Sequence, residues 1–198
     1  MSEHYFTPDP SAPHKPREVT LQALGMTLPM HTDAGVFSAD GLDPGSKLLM
    51  ESLPPLTGRV ADLGCGWGAM GVPLALKNPA AEFILVDINE RAVSLARKNI
   101  VLNQAKNAQA LAGNGLSALP EGLHAVVTNP PIRAGKQVIY GLFEQSKEKL
   151  GPGGKLYAVI RKQQGAPSAL KFLQGLFSAA QVIERGGGYW VIEATKEA

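Results

Sequence analysis

From residue 44 to the end of the chain, short apolar segments alternate with segments whose apolar residues recur at helical spacing, and this alternation restricts the fold more than any other feature. Apolar runs of about four to eight residues predict buried strands. Five such segments follow one another along the chain: RVADLG, FILVDI, AQALAGN, HAVVTN and KLYAVIRK. Strands that alternate with helices imply an α/β fold, in which helices cover both faces of a mostly parallel sheet.

The segments between these strands predict helices, and their ends carry suitable residues. Pro44 suits the first turn of a helix that reaches Leu53, and Asn89 suits an N-cap. The predicted helices are residues 44–53, GVPLALK, ERAVSLARKNIVLN, QVIYGLFEQSKEKL, which the sequence GPGG is expected to end, and APSALKFLQGLFSAA. After the last helix, AQVIERG and YWVIEA predict an antiparallel pair that turns at residues 186–188.

The first 45 residues differ from the rest because they are rich in proline. Within them, EVTLQALG and residues 26–37 predict a short hairpin. We expect residues 1–45 to be an N-terminal extension and residues 46–198 to form the main domain. A single cysteine excludes a disulfide framework and a multi-cysteine zinc site. The chain has neither an apolar run of about 20 residues nor a secretory signal, which predicts a cytoplasmic protein without a membrane partner.

Positions that directly follow the predicted strands are expected to meet at one edge of the sheet, where ligands of such folds bind. These positions are residues 62–68, Asp87, Asn114, residues 129–132 and residues 161–162. Residues 132–165 also hold seven Lys or Arg residues against two Glu residues, although the net charge of the chain is only +2. This local excess suits a polyanion such as RNA, and it is equally consistent with a solvated face.

The stretch VADLGCGWGAMG, residues 60–71, predicts a strand followed by a glycine-rich loop. Alternating glycines let the backbone turn sharply and let a ligand approach it closely. Asp62 precedes the first glycine, and its carboxylate suits a cationic ammonium group or the amides of the loop. Asp87 ends the next strand, where a carboxylate can accept both hydrogen bonds of a ribose diol.

Three interpretations of this loop remain open. Gly66, Gly68 and Gly71 satisfy the dinucleotide pattern G-x-G-x-x-G of NAD enzymes. Asp62 disfavours NAD, because its charge would repel a pyrophosphate, and favours the cationic methionine end of S-adenosylmethionine. A tight turn without a ligand is the third interpretation. The role of Asn114 is also undecided, because an asparagine at this position can either hydrogen-bond the edge of an adenine or form part of a turn.

The stretch VVTNPPIRAGK, residues 126–136, places two prolines directly after an apolar strand. Proline cannot donate to a sheet and holds the chain rigidly. The side-chain oxygen of Asn129 and the carbonyl of Pro130 can then accept both hydrogens of a planar amino group. Two acceptors placed off the amine plane favour a pyramidal nitrogen with its lone pair directed at a methyl group, so that transfer needs positioning and no strong base. A proline-stiffened loop is the alternative, and none of the four histidines lies in these motifs.

Taken in order, these motifs resemble class I S-adenosylmethionine-dependent methyltransferases that modify amino nitrogens. VFSADGLDPGSKLL, VADLGCGWG, VDIN, TNPPIRAGK and the Gly-rich turn before the last strand together resemble the small-subunit ribosomal RNA guanine-N2 methyltransferase family, especially its short members, which carry only the catalytic domain. The resemblance covers residues 34–198. It implies a Rossmann-like, doubly wound, seven-stranded mixed sheet with the last strand antiparallel, S-adenosylmethionine as cofactor and RNA of the small ribosomal subunit as partner.

The resemblance also implies site roles by position. Donor-binding roles are implied for Phe37, Ser46, Asp62, Gly64, Cys65, Gly66, Gly68, Asp87, Ile88 and Asn114. Asn129 and Pro130 are implied to hold the target amine as catalytic residues, without a metal. Substrate contacts are implied for Pro131, Ile132, Arg133 and Lys136. Many amino-methyltransferases carry an aromatic residue after the two prolines, where stacking contributes about 1–3 kcal/mol per base. This chain carries Ile132 there, so Arg133 is a candidate to stack on the base or to bind phosphate.

The sequence therefore predicts N-methylation of an exocyclic amine, with guanine N2 of small-subunit ribosomal RNA as the first choice. Methylation of a protein glutamine or of adenine N6 remains an alternative, because the Asn-Pro-Pro arrangement suits any conjugated amino group. An NAD-dependent oxidoreductase and an inactive RNA-binding protein are more remote alternatives.

Overall fold

The structure is a computed structural model that describes residues 13–198. Residues 1–12 of the predicted N-terminal extension lie outside the described residues, and the division at residue 45 stays a prediction. The strands of the described part are, in chain order, β1 (Arg17–Ala23), β2 (Met26–Thr32), β3 (Gly58–Leu63), β4 (Ala81–Asp87), β5 (Ala108–Ala112), β6 (Leu123–Thr128), β7 (Leu150–Arg161), β8 (Ala179–Gly186) and β9 (Tyr189–Thr195).

Seven of these strands form one sheet in the order β5-β4-β3-β6-β7-β9-β8. The five from β5 to β7 run parallel, and the last strand, β9, runs antiparallel to both β7 and β8. This arrangement confirms the predicted α/β, Rossmann-like mixed sheet. The order reverses at β3, whose neighbours are β4 and β6, so the carboxyl ends of these three strands flank the point where such folds bind ligands.

Helices connect the strands and have the bounds α1 (Pro44–Ser52), α2 (Gly71–Lys77), α3 (Glu90–Leu102), α4 (Lys136–Lys149) and α5 (Ala166–Leu176). The predicted N-cap of α3 is confirmed, since the side chain of Asn89 accepts a hydrogen bond from the Ala92 amide at 3.1 Å. Pro44, predicted for a helix start, lies in the first turn of α1, and Pro167 lies in the first turn of α5.

One predicted helix end is confirmed to within a residue and another is wrong. Helix α4 ends at Lys149, one residue before the predicted end, and residues 151–154 already belong to β7. The last helix ends at Leu176 rather than near residue 180, since the backbone is extended from Phe177 onward. There the amide and hydroxyl of Ser178 both donate to the carbonyl of Thr195, which draws the chain into the sheet.

Buried side chains on the two faces of the sheet form two separate clusters. Successive residues of β3 show the division, because Val60 belongs to one cluster and Ala61 to the other. Helices α1, α2 and α3 cover the first face, and α4 and α5 cover the second. The alternation of inward-facing residues thus accounts for the continuous apolar runs seen in the sequence. Within residues 13–198, no helix has the length and apolar character needed to cross a bilayer.

The hairpin of β1 and β2 docks on the first face through one buried asparagine. The side chain of Asn99, on α3, accepts from the His31 amide at 2.7 Å and donates to the carbonyls of His31 and Trp67. This side chain therefore joins the hairpin, α3 and the loop after β3. Leu21 and Met30 of the hairpin complete the packing within the same apolar cluster.

We expect the substitution Asn99→Ala to destabilise the fold by about 3 kcal/mol, because it leaves buried backbone groups without partners. Chemical denaturation followed by circular dichroism measures this change. Asn103→Ala is a matched control, since Asn103 also contacts β2, through Pro29, but from the partly exposed end of the helix. Equal losses for the two variants would contradict the assigned role of Asn99.

Candidate functional site

The carboxyl ends of β3, β4 and β6 enclose two adjoining cavities. The larger measures about 310 Å³ and lies beside Asp87, Asn114 and Pro131. The smaller measures about 30 Å³ and lies beside Asp62, Ser46 and the loop after β3. Four residues line both cavities: Phe37, Gly64, Gly66 and Asn129. Residues that follow different strands are thus brought together as the sequence predicted.

The loop between β3 and α2 requires glycine at two positions for its conformation. Gly64 and Gly66 have φ values of 75° and 55°, in the left-handed region that favours glycine. A Cβ at either position would meet no atom within 4 Å, so this backbone borders open space. The amides of Gly64 and Cys65 donate to the Val86 carbonyl, which ties the loop to β4. The loop therefore presents bare backbone to the cavities.

Asp87 joins the glycine loop to the start of α3. Its Oδ2 accepts from the Gly66 amide at 2.7 Å, and its Oδ1 accepts from the Asn89 amide at 2.9 Å. Burial raises the pKa of this carboxyl group, although these amides work in the opposite direction. Because each oxygen uses one lone pair for the protein, each retains another for a ligand in the larger cavity.

Asp62 is fully buried, and neither of its carboxylate oxygens has a hydrogen-bond partner among the described residues. Burial and the nearby charge of Asp87 raise its pKa to about 8. The Gly71 amide faces this carboxylate and opposes the shift without completing a hydrogen bond. A Cβ at Gly71 would lie 2.6 Å from Asp62 Oδ2, so only glycine fits there. A buried carboxyl group without partners is costly when ionised, which agrees with its raised pKa, and it leaves two unused acceptors beside the smaller cavity.

Asn129 follows β6 and is fixed by residues at the start of α1. Its Nδ2 donates to Asp43 Oδ2 at 2.9 Å and to Ser46 Oγ at 3.0 Å. The same Asp43 oxygen accepts from the Ser46 amide and so caps the helix. Because both hydrogens of the Asn129 amide point to α1, its oxygen is the atom left to accept from a ligand.

The other sequence-predicted residues fall into three groups. Ile88, Asn114 and Pro131 line the larger cavity, and Cys65 lines the smaller one. Burial raises the pKa of the Cys65 thiol, so it remains protonated and unreactive. Five predicted residues line neither cavity, namely Gly68, Pro130, Ile132, Arg133 and Lys136. Ile132 instead packs partly against the apolar cluster under α4.

Arg133 and Lys136 are exposed beside the mouth of the larger cavity. Their neighbours Ala134 and Val138 line that cavity, which places both cations at its rim. Among the described residues, neither cation forms an ion pair. In the same part of the chain, no group of three or more His, Cys, Asp or Glu side chains is arranged to hold a metal ion.

Sequence reasoning missed several residues of this site. Val138 and Leu142 line the larger cavity from α4. Trp67, for which a place beside the donor or in the packing was left open, lines the smaller one. The Trp67 indole also donates to the Phe37 carbonyl at 3.0 Å and thereby fixes that loop. Asp43 was missed as well, although its place before Pro44 is typical of a helix N-cap.

Comparison with known proteins identifies related chains. The family model "Methyltransferase small domain" matches residues 27–193. The uncharacterized protein YbxB of Bacillus subtilis (strain 168) is 37% identical over 200 residues, which cover 99% of this chain and all of that protein. The ribosomal RNA large subunit methyltransferase G of Streptomyces avermitilis is 34% identical over 85% of this chain and 46% of that protein.

A solved structure shares the fold closely. It is the T. thermophilus 16S rRNA N2 G1207 methyltransferase in complex with AdoMet and guanosine, which is 31% identical with a TM-score of 0.83. The match covers 93% of this chain and 52% of that one. The chain thus spans about half the length of the two ribosomal RNA methyltransferases.

Proposed function

Because this chain belongs to the methyltransferase small domain family, we propose that it methylates the N2 amine of a guanine in ribosomal RNA, with S-adenosylmethionine as its cofactor. One observation carries the proposal. Asn129 lines both cavities. The side-chain oxygen that would accept from the target amine therefore borders the space that would hold the methyl donor. In-line transfer requires the two reacting groups to be this close.

The residues present fit S-adenosylmethionine. Asp62 offers an ionisable carboxylate without a partner beside the smaller cavity, which suits the ammonium group of the methionine part. Asp87 offers free lone pairs to a ribose diol in the larger cavity, where Ile88 and Asn114 flank the space for an adenine. When bound, the cofactor supplies an electrophilic methyl group on a sulfonium.

On the substrate side, this chain's part is to bind and orient an amino group. Asn129 Oδ1 accepts from this amino group, which turns the nitrogen lone pair toward the methyl group of the donor. The nitrogen becomes cationic as it bonds to the methyl carbon and the carbon–sulfur bond of the donor breaks, so its proton passes to water afterwards without a strong base. A guanine in structured RNA has to leave its stack to reach this position.

The names of the relatives support RNA as the substrate. The T. thermophilus protein is a 16S rRNA N2 methyltransferase, which favours the small subunit. The S. avermitilis protein is named for the large subunit, so the large subunit is the second candidate. The exposed cations at the cavity mouth suit the phosphates of either RNA.

We expect the double substitution Arg133→Ala/Lys136→Ala to weaken RNA binding in a salt-dependent way. If each cation contacts one phosphate, the slope of log affinity against log salt falls by about 1.4 to 1.8. Filter binding at several salt concentrations measures the slope. The matched control is Lys77→Ala/Lys106→Ala, which removes two exposed cations at the opposite end of the strands. An unchanged slope in the first variant would remove both cations from the RNA-binding surface.

Labelled methyl transfer tests the proposed function. Undermethylated small subunits, large subunits and a release factor are each incubated with the protein and labelled S-adenosylmethionine. The proposal predicts label in ribosomal RNA, as N2-methylguanosine, with the small subunit as the better substrate. Label in adenine or in a protein glutamine would overturn it.

A further inference from the structure

The amide of Asn129 is oriented by contacts outside its own loop. Both hydrogens of Nδ2 are taken by acceptors on α1, Asp43 Oδ2 at 2.9 Å and Ser46 Oγ at 3.0 Å. The oxygen and nitrogen of an asparagine side chain have nearly the same size, so only hydrogen bonds decide which way the amide faces. Without these acceptors, a flipped amide would present its NH2 group to the incoming amine.

We propose that Asp43 and Ser46 are positioning residues that hold Asn129 Oδ1 toward the target amine. This inference rests on the proposed function of the site. It assigns to the start of α1 a task beyond folding, because the orientation of one amide decides whether the site accepts or repels an amino group.

Asp43 is held by a hydrogen bond at the start of α1, and the surrounding residues pack against that helix end. Its Oδ2 accepts from the Ser46 amide at 2.9 Å, which caps α1. The Arg161 guanidinium lies 4.9 Å from the centre of the Tyr189 ring. A hydrogen bond with Tyr189, and also the charge of Asp43, raise the pKa of Arg161. A Cβ on Gly45 would come within 2.6 Å of the Tyr189 ring, so this ring packs tightly on the first turn of α1. The acceptor is thus part of a rigid helix end rather than a mobile side chain.

The same contacts explain why residue 129 is asparagine and not aspartate. In Asn129→Asp, a carboxylate would face the Asp43 carboxylate at hydrogen-bond distance. Either two like charges would replace a donor–acceptor pair or one carboxyl group would keep a proton, and both outcomes disturb the orientation of residue 129. We expect Asn129→Asp to lose at least as much activity as Asn129→Ala for this reason.

The test separates positioning from helix capping. Asp43→Ser keeps an N-cap oxygen for the Ser46 amide but is too short to reach Asn129, and Ser46→Ala removes the second acceptor. Matched controls are Asp40→Ser, an exposed residue of the preceding loop that pairs with Arg17, and Ser52→Ala, whose hydroxyl bonds the Leu48 carbonyl at the other end of α1.

Two readouts are measured on each variant. The first is kcat for methyl transfer together with the affinity for S-adenosylhomocysteine. For Asp43→Ser/Ser46→Ala, we expect kcat at saturating donor to fall roughly tenfold to a hundredfold. Because both residues line the smaller cavity, the measured affinity serves to ensure that every variant is compared with its donor site saturated. The second is hydrogen exchange of the Asn129 side-chain amide by NMR, with its signals assigned by their loss in Asn129→Ala. We expect exchange to become roughly tenfold faster in the double variant.

A wild-type kcat, an unchanged amide exchange rate or a loss confined to donor affinity would each overturn the inference. The amide exchange rate needs no RNA, so it decides the positioning role even if the wild-type protein methylates no ribosomal RNA. A wild-type protein that methylates no ribosomal RNA would overturn the proposed function and not the positioning role.

Discussion

Replacing Asn129 by alanine is expected to lower methyl transfer by about a thousandfold or more while donor binding persists. The substitution removes the oxygen that accepts from the amine, and an interaction made mainly in the transition state lowers kcat rather than ground-state binding. Loss of one preorganised partner of this kind typically costs about 10²–10³ in kcat. Misorientation of the amine adds to that loss.

Single-turnover transfer and calorimetric titration with S-adenosylhomocysteine measure the two quantities separately. Asn103→Ala is the matched control, because Asn103 lies at the carboxyl end of α3 and lines neither cavity. Transfer by Asn129→Ala within tenfold of the wild type would show that another group holds the amine.

The second large effect concerns Asp62. Asp62→Asn is nearly isosteric but lacks the charge that an ammonium group needs, and breaking a buried ion pair costs about 3–5 kcal/mol. We therefore expect the affinity for S-adenosylhomocysteine to fall by a factor of about 10² to 10⁴. Asp40→Asn, on an exposed residue of a nearby loop, serves as the control. Calorimetry measures both, and wild-type affinity in Asp62→Asn would exclude an ammonium contact.

The raised pKa of Asp62 predicts a pH dependence with a definite sign. In the donor-free protein, the folded state keeps a proton up to about pH 8, whereas an unfolded chain loses it near pH 4. The folded state binds more protons in this window, so the free energy of unfolding falls as the pH rises through it. An ammonium ligand requires the ionised form, and its binding releases a proton below pH 8.

Donor affinity should accordingly rise about tenfold per pH unit toward pH 8 and then level off. Titrations in buffers of different ionisation enthalpy count the released proton. The control is Asp62→Asn, for which the same titrations should show no proton release from this position. A wild-type affinity that is independent of pH between 6 and 8 would contradict the role of Asp62.

The order of strands and helices was predictable because parallel strands buried on both faces leave continuous apolar runs. Asn89 was predictable as a cap because its chemistry is local. The site itself needs contacts that no local pattern encodes. Asp43 and Asn129 are 86 residues apart in the chain, and Asn99 meets the hairpin 68 residues away. Their pairing depends on how the sheet brings α1 and α3 to one edge.

The burial of the individual side chains at the site could not be predicted from the sequence either. The motif suggested that Asp62 meets an ammonium group or the amides of its loop, and within residues 13–198 neither of its oxygens has a hydrogen-bond partner. Ile132 stands where many amino-methyltransferases carry an aromatic residue, and a substrate contact was predicted for it. In the structure, the short 3-10 turn Ile132–Ala134 packs that side chain partly into the core. The cavity wall nearby is completed by Val138 and Leu142, one and two turns into α4.

We propose that a methyl donor and a guanine amino group meet at the wall formed by Asn129. Mass mapping of ribosomal RNA from cells that lack the protein, with wild-type or Asn129→Ala protein restored, tests this proposal. We expect one N2-methylguanosine that disappears with the protein, returns with the wild type and stays absent with the variant. Full methylation in the cells that lack the protein, or its return with Asn129→Ala, would contradict it.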